Sequence, residues 1–325
     1  MEIDVIEAQK QYTNQNIIKI QSAIEGILAS LPDEIAGRFS IVMTGSYGRC
    51  EASQESDLDV FTIVDSKDII KPFRAIARKL NSAIRKIVPK NPGKTGTFGF
   101  KAVISIDQIL KDIAGVNDTN KNITRRMLML LEGKALINHK KFTDYRKKLL
   151  EAYIKTRVDS GQMAFFFLND IIRYWRTMAT DYESKTTDDD RNWGVRSIKL
   201  RFSRKLIYFS GIITAAETVD GSHAVKINRV VKLLDQCPID RIQEIGQIYA
   251  PELTGELIEH YRYFINEISK PDVRTTLDNM HRNNRVKNKT YIELRNRGRL
   301  FSECLANLLK SIYPPEHQIH SAMLF

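Results

Sequence analysis

The segment that most restricts how this chain can fold lies between residues 40 and 64. Two short apolar runs, Ser40-Ile41-Val42-Met43 and Val60-Phe61-Thr62-Ile63-Val64, bracket a polar stretch, Thr44-Gly45-Ser46-Tyr47-Gly48-Arg49-Cys50-Glu51, which is closed by Ser56-Asp57-Leu58-Asp59. Short apolar runs bounded by turn residues read as buried strands, so the polar stretch is expected where two strands meet a tight turn. A Gly-Ser pair at a strand end offers bare backbone N–H groups and a hydroxyl, which can cradle phosphate oxygens. Asp57 and Asp59 are two apart, and on extended backbone that spacing turns both carboxylates to one face. Two hard oxygen ligands beside a phosphate cradle suit Mg²⁺-dependent phosphoryl or nucleotidyl transfer, because the cation links carboxylate to triphosphate and neutralises developing charge. Each half is common alone; the order and spacing carry the signal. The bland reading, a glycine turn before a solvated edge strand, leaves Arg49, Glu51 and Ser56 without a role.

A chain of 325 residues exceeds one small core and suggests two domains. Its apolar share of 42% and charged share of 27% are those of a globular protein rather than a disordered one. The formal net charge of +11 favours anionic partners: nucleotides, RNA or membrane headgroups. Cys50, Cys237 and Cys304 lack C-x-x-C spacing, which argues against a zinc site or a disulfide framework and suits a reducing cytoplasm. The acidic start and the lack of a long uncharged apolar run lead us to expect neither export nor membrane insertion.

Along the chain, Ile17, Ile20, Ile24, Leu28 and Leu31 recur at helical steps, and residues 66–87 read as a helix with a basic outer face. The loop from Pro89 to Gly96 places Lys94 between glycines, but without P-loop order it reads as a surface loop. A strand is expected over residues 98–106, with Asp107 capping the helix that follows, and then a buried helix over residues 124–132 that ends at Gly133. Its arginines, Arg125 and Arg126, would face solvent or a nucleotide. Beyond about residue 140 strand signals thin out and helical periodicity takes over, so the division is drawn at 1–145 and 146–325. In the second half, Arg196, Lys199 and Ser203 fall on one helical stripe that could meet a triphosphate or an RNA backbone, or could be a solvated face. The densest positive patch, residues 281–299, has the same two readings. The terminal Met323-Leu324-Phe325 could tuck against the body.

The arrangement G-S-Y-G-R-C-E-x-x-x-x-S-D-L-D from Gly45 to Asp59 resembles the signature of the DNA polymerase β nucleotidyltransferase superfamily, closest to the group of the PII-protein uridylyltransferases. The likeness covers about the first 140 residues and includes a looser match through Asp118 to the leucine-rich segment ending at Glu132-Gly133. It implies an α+β fold, a small mixed-sheet nucleotidyltransferase domain followed by an all-helical domain. It also implies that Gly45 and Ser46 hold the triphosphate of an NTP such as ATP, that Arg49 touches the triphosphate or departing pyrophosphate, and that Asp57 and Asp59 bind Mg²⁺, or Mn²⁺ in its place. The expected nucleotide contacts extend to Arg196 and Lys199, and the expected catalytic set is Asp57, Asp59 and Glu51. The acceptor would be a macromolecule, RNA such as a tRNA end or a protein. Many superfamily members carry a third carboxylate on a later strand; residues 98–105 hold no acid, which leaves Glu51, Asp65 and Asp107 as candidates for the base. That departure admits an alternative, a catalytically silent nucleotide-binding regulator. Downstream, the metal-hydrolase and ligand-sensing signatures of PII uridylyltransferases are missing.

Overall fold

The computed structural model describes residues 4–90, 99, 101–188 and 193–324. The fold is α+β: a small four-stranded mixed sheet with helices, and a helical region. The chain divides into two compact units, Met1–Lys155 and Thr156–Phe325.

The first unit runs α1 (Val5–Ala29), β1 (Phe39–Thr44), a single-turn helix α2 (Gly45–Gly48), β2 (Asp59–Val64), α3 (Ile70–Arg85), β3 (Val103–Ser105), α4 (Ile106–Leu110), α5 (Asn120–Leu131), β4 (Lys134–Ile137) and α6 (His139–Tyr153). The strand order is β3-β2-β1-β4. β1 pairs antiparallel with both β2 and β4, and β2 pairs parallel with β3. All six β1 residues are buried, because helices cover the sheet on both faces, which is why the strand reads as a continuous apolar run rather than an alternating one. One face packs Phe39, Ile41 and Met43 against Ile20 and Ile24 of α1 and Phe73, Ala77 and Leu80 of α3. Those α3 residues recur at helical spacing, leaving Lys71, Arg74, Arg78 and Lys79 exposed as a solvated face.

Three local expectations need correction. β3 is only Val103–Ser105, because Ser105 ends the strand by capping α4: its hydroxyl accepts from the Gln108 N–H and the Gln108 side chain reaches back, a reciprocal capping box. Ser105, not Asp107, is the cap. Arg126 faces neither solvent nor a nucleotide; it is fully buried and donates to both Asp118 carboxylate oxygens at 2.8 and 2.6 Å and to the Tyr153 hydroxyl at 2.9 Å. That bidentate pair ties the loop before α5 to the end of α6. Arg125 is buried as well. α6 packs on β1 and β4 within the first unit. The loop with Lys94 lies outside the described residues.

The second unit is helical: α7 (Phe165–Asp188), α8 (Trp193–Lys199), a π-helical turn (Leu200–Arg204), α9 (Lys205–Ala216), α10 (His223–Asp235), α11 (Pro238–Tyr249), α12 (Pro251–Ile268), α13 (Pro271–Asp278), α14 (Lys289–Ile312) and α15 (Gln318–Ala322). Three of these start with proline, whose fixed φ and missing N–H suit a first helical turn. α9 is buried nearly all round, as its uninterrupted apolar sequence requires. Phe202 stacks on Phe264 at 4.5 Å and meets Phe301 at 5.3 Å, fastening the π turn to α12 and α14. The π turn adds a residue to the local period, so Ser203 is buried rather than in line with Arg196 and Lys199. At the C-terminus Leu324 is exposed, not tucked in. Among the described residues, no helix is long and apolar enough to cross a membrane.

Candidate functional site at the Asp59 end of the sheet

The antiparallel register sets Thr44 opposite Asp59, so Gly45 begins its turn directly beside that carboxylate. Gly45 has φ +67°, in the left-handed region, and a Cβ there would lie 3.2 Å from Asp59 Oδ2. Glycine is therefore required twice over, for the backbone conformation and for room beside the acid. At Gly48 a Cβ would meet the Glu132 carbonyl oxygen at 2.4 Å, so this second glycine lets α2 lie directly against the chain between α5 and β4. Both glycines of the G-S-Y-G motif thus answer to close approach.

Behind the turn sits a buried ion-pair cluster. Arg49 donates through Nε to Glu51 at 2.5 Å and through Nη1 to Glu132 Oε2 at 2.6 Å; the other Glu132 oxygen accepts from the Gly45 N–H at 2.9 Å. Arg49 is 6% exposed and Glu132 3%. A buried guanidinium held by two carboxylates fixes the turn, since Glu132 joins Arg49 to the Gly45 N–H and its removal would leave that N–H without its acceptor. The loop that follows is braced from α1, where the Thr13 hydroxyl accepts from the Ala52 N–H at 2.9 Å.

In front of the turn lie the paired aspartates. Leu58 between them is buried while Asp57 and Asp59 are half-buried, the alternation of an extended segment. The Asp57 carboxylate accepts no hydrogen bond from any described residue, and its charge, after burial and Tyr12, helps hold the Tyr47 hydroxyl protonated. Ser46 is half-buried beside Gly45, and its hydroxyl is engaged by no described residue.

The fold thus gathers Gly45, Ser46, Asp57 and Asp59 at one end of the sheet, with Arg49 and Glu51 packed behind them. Arg196 and Lys199 belong to the second unit, half-buried on α8. Strand direction separates the candidate bases. β2 runs from Asp59 to Val64, which puts Asp65 about 20 Å from Asp59 at ~3.3 Å per residue. β3 is parallel to β2 with Ser105 beside Val64, so Asp107 lies at that same far end. Glu51 is the candidate that stays at the site. The residue missed in the sequence is Glu132; its signal was an acid immediately before a glycine at the end of a buried helix, where an unpaired carboxylate would have been costly.

Cys304 is a free, buried thiol. A scan against protein-family models and a search of curated proteins returned no match for this chain.

Proposed function

We propose that this protein is a Mg²⁺-dependent nucleotidyltransferase that moves a nucleoside monophosphate from an NTP to a macromolecular acceptor. The observation that carries the reading is the convergence of the Gly45-Ser46 turn with the Asp57 and Asp59 carboxylates, one of which has no hydrogen-bond donor from the described chain. Such a pair fits a hard, oxygen-preferring cation. Mg²⁺, or Mn²⁺ in its place, would be held by Asp57 and Asp59 and would supply charge neutralisation on the transferring phosphate. The chain's own part is to seat the phosphates against Gly45 and the Ser46 hydroxyl, to keep that turn in place through Arg49, Glu51 and Glu132, and to keep the two aspartates on one face. The net charge of +11 and the exposed Arg285, Lys287, Lys289 and Arg299 favour RNA over protein as acceptor.

A second reading, a nucleotide-binding regulator without turnover, draws support from the far placement of Asp65 and Asp107 and from Glu51 being spent on Arg49. The two separate in one experiment: the protein is incubated with α-labelled NTPs, Mg²⁺ and total RNA or lysate, beside Asp57→Ala/Asp59→Ala. Label transferred by the wild type alone supports the enzyme. NTP binding without transfer supports the regulator, and neither binding nor transfer removes both.

A further inference from the structure

In the second unit, far from these aspartates in sequence, three side chains of metal-ligating type converge between α12 and α14. Glu256 and His260 are four apart on α12 and so share a face, and Cys304 reaches them from α14; one ligand atom from each lies within 4.8 Å of the others. His260 and Cys304 are each 5% exposed, while the Glu256 side chain is 56% exposed. The decisive observation is His260 Nε2, a buried nitrogen without a hydrogen-bond partner that faces Glu256 Oε1 at 3.6 Å. A buried polar atom left unpartnered is costly and calls for an explanation. The thiol is not a reactive nucleophile, since burial and the Glu256 charge push it up to about 11.

We infer that Glu256, His260 and Cys304 form a binding site for a borderline-soft divalent cation of the Zn²⁺ class, with water completing the coordination on the exposed Glu256 side. Thiolate with imidazole selects such an ion over Mg²⁺, and three protein ligands plus water is a recognised zinc arrangement. Ligands around tetrahedral zinc lie roughly 3.5 Å apart, given bonds of about 2.0–2.3 Å. The exposed Glu256 can close that gap by swinging inward. On binding, the Cys304 S–H bond breaks, its proton passes to water, and a sulfur–metal bond forms. The imidazole must also re-order. Arg297 Nη1 sits 3.3 Å from His260 Nδ1, and because arginine only donates, that contact puts the ring proton on Nε2. Metal binding moves the proton to Nδ1 and turns Arg297 away, toward the Tyr263 ring over which it already lies at 4.9 Å. Arg297 therefore competes with the metal.

The test titrates metal-stripped full-length protein with Co²⁺ and then displaces it with Zn²⁺, reading the near-ultraviolet thiolate-to-cobalt band, with circular dichroism as the check on folding. One equivalent and a band that Zn²⁺ abolishes are expected, with no band in Cys304→Ser. Glu256→Gln, a change at an exposed position, weakens Co²⁺ binding about 10-fold or more, and Arg297→Gln, which removes the competitor and supplies an acceptor for Nδ1–H, tightens it by a similar factor. Absence of the band in the wild type, its persistence in Cys304→Ser, or equal affinity in wild type, Glu256→Gln and Arg297→Gln would overturn the site.

Discussion

The two ends of β2 carry aspartates in opposite circumstances. At the far end, Asp65 accepts from the Tyr145 hydroxyl at 2.8 Å and pairs with Lys141 at 2.9 Å, while its own N–H bonds the Arg38 carbonyl. At the near end, Asp57 accepts nothing from the described chain, and Asp59 lies against a glycine whose missing Cβ leaves room for its carboxylate. Asp65, six residues after Asp59, is spent on holding the sheet to α6, while Asp57 and Asp59 flank the glycine turn. Acid placed with its donors is architecture; acid placed without them, as Asp57 is among the described residues, is available to a ligand.

The largest expected effect breaks the comparison at its near end. Asp57→Ala/Asp59→Ala lowers nucleotidyl transfer by about 10³-fold or more, the scale for losing electrostatic stabilisation at the reacting phosphate, with little change in thermal midpoint. Initial rates and a melt on the same sample check both halves. Next, Glu132→Ala leaves Arg49 with one carboxylate fewer and the Gly45 N–H without its acceptor, and costs about 2–4 kcal/mol in a urea titration. Gly48→Ala drives a methyl into the Glu132 carbonyl and costs about 1–3 kcal/mol in the same assay.

The far end gives smaller, purely structural effects. Asp65→Asn costs about 1–3 kcal/mol through its lost charge-assisted contacts, and leaves the transfer rate per folded molecule unchanged. Tyr145 sharpens the point through pH. Burial first, then the hydrogen bond to Asp65, raises its phenol above the ordinary value of 10.0. Below that value both states hold the proton and the stability is fully present; as pH climbs past it, only the unfolded chain loses the proton, so stability falls. Tyr145→Phe therefore flattens the alkaline fall, measured as urea midpoints between about pH 9 and 11.

How much of this was legible follows from what each residue depends on. β1 and β2 announce themselves because a strand buried on both faces must be apolar throughout, and the glycine turn and paired aspartates sit at their ends for reasons local to sixteen residues. Glu132 was illegible as a partner of Arg49 because 83 residues separate them and no period links them. Arg126 reads as facing solvent or a nucleotide because a helix sequence does not reveal that Asp118 waits inside. The length of β3 and the burial of Ser203 turned on a capping box and a π turn, local bonds that outcompete the strand and the regular helical period. The Glu256–His260 pair was visible at helical spacing, but its third member arrives from another helix.

The most direct measurement is a Mn²⁺ paramagnetic titration in the presence of NTP, run on wild type, Asp65→Asn and Asp57→Ala/Asp59→Ala. The account predicts equal binding of the metal–nucleotide complex by wild type and Asp65→Asn, and weakening by about 30-fold or more in the double variant, roughly 2 kcal/mol for the lost ligands. Equal binding by all three would show that the near-end aspartates do not hold the metal and would contradict the account.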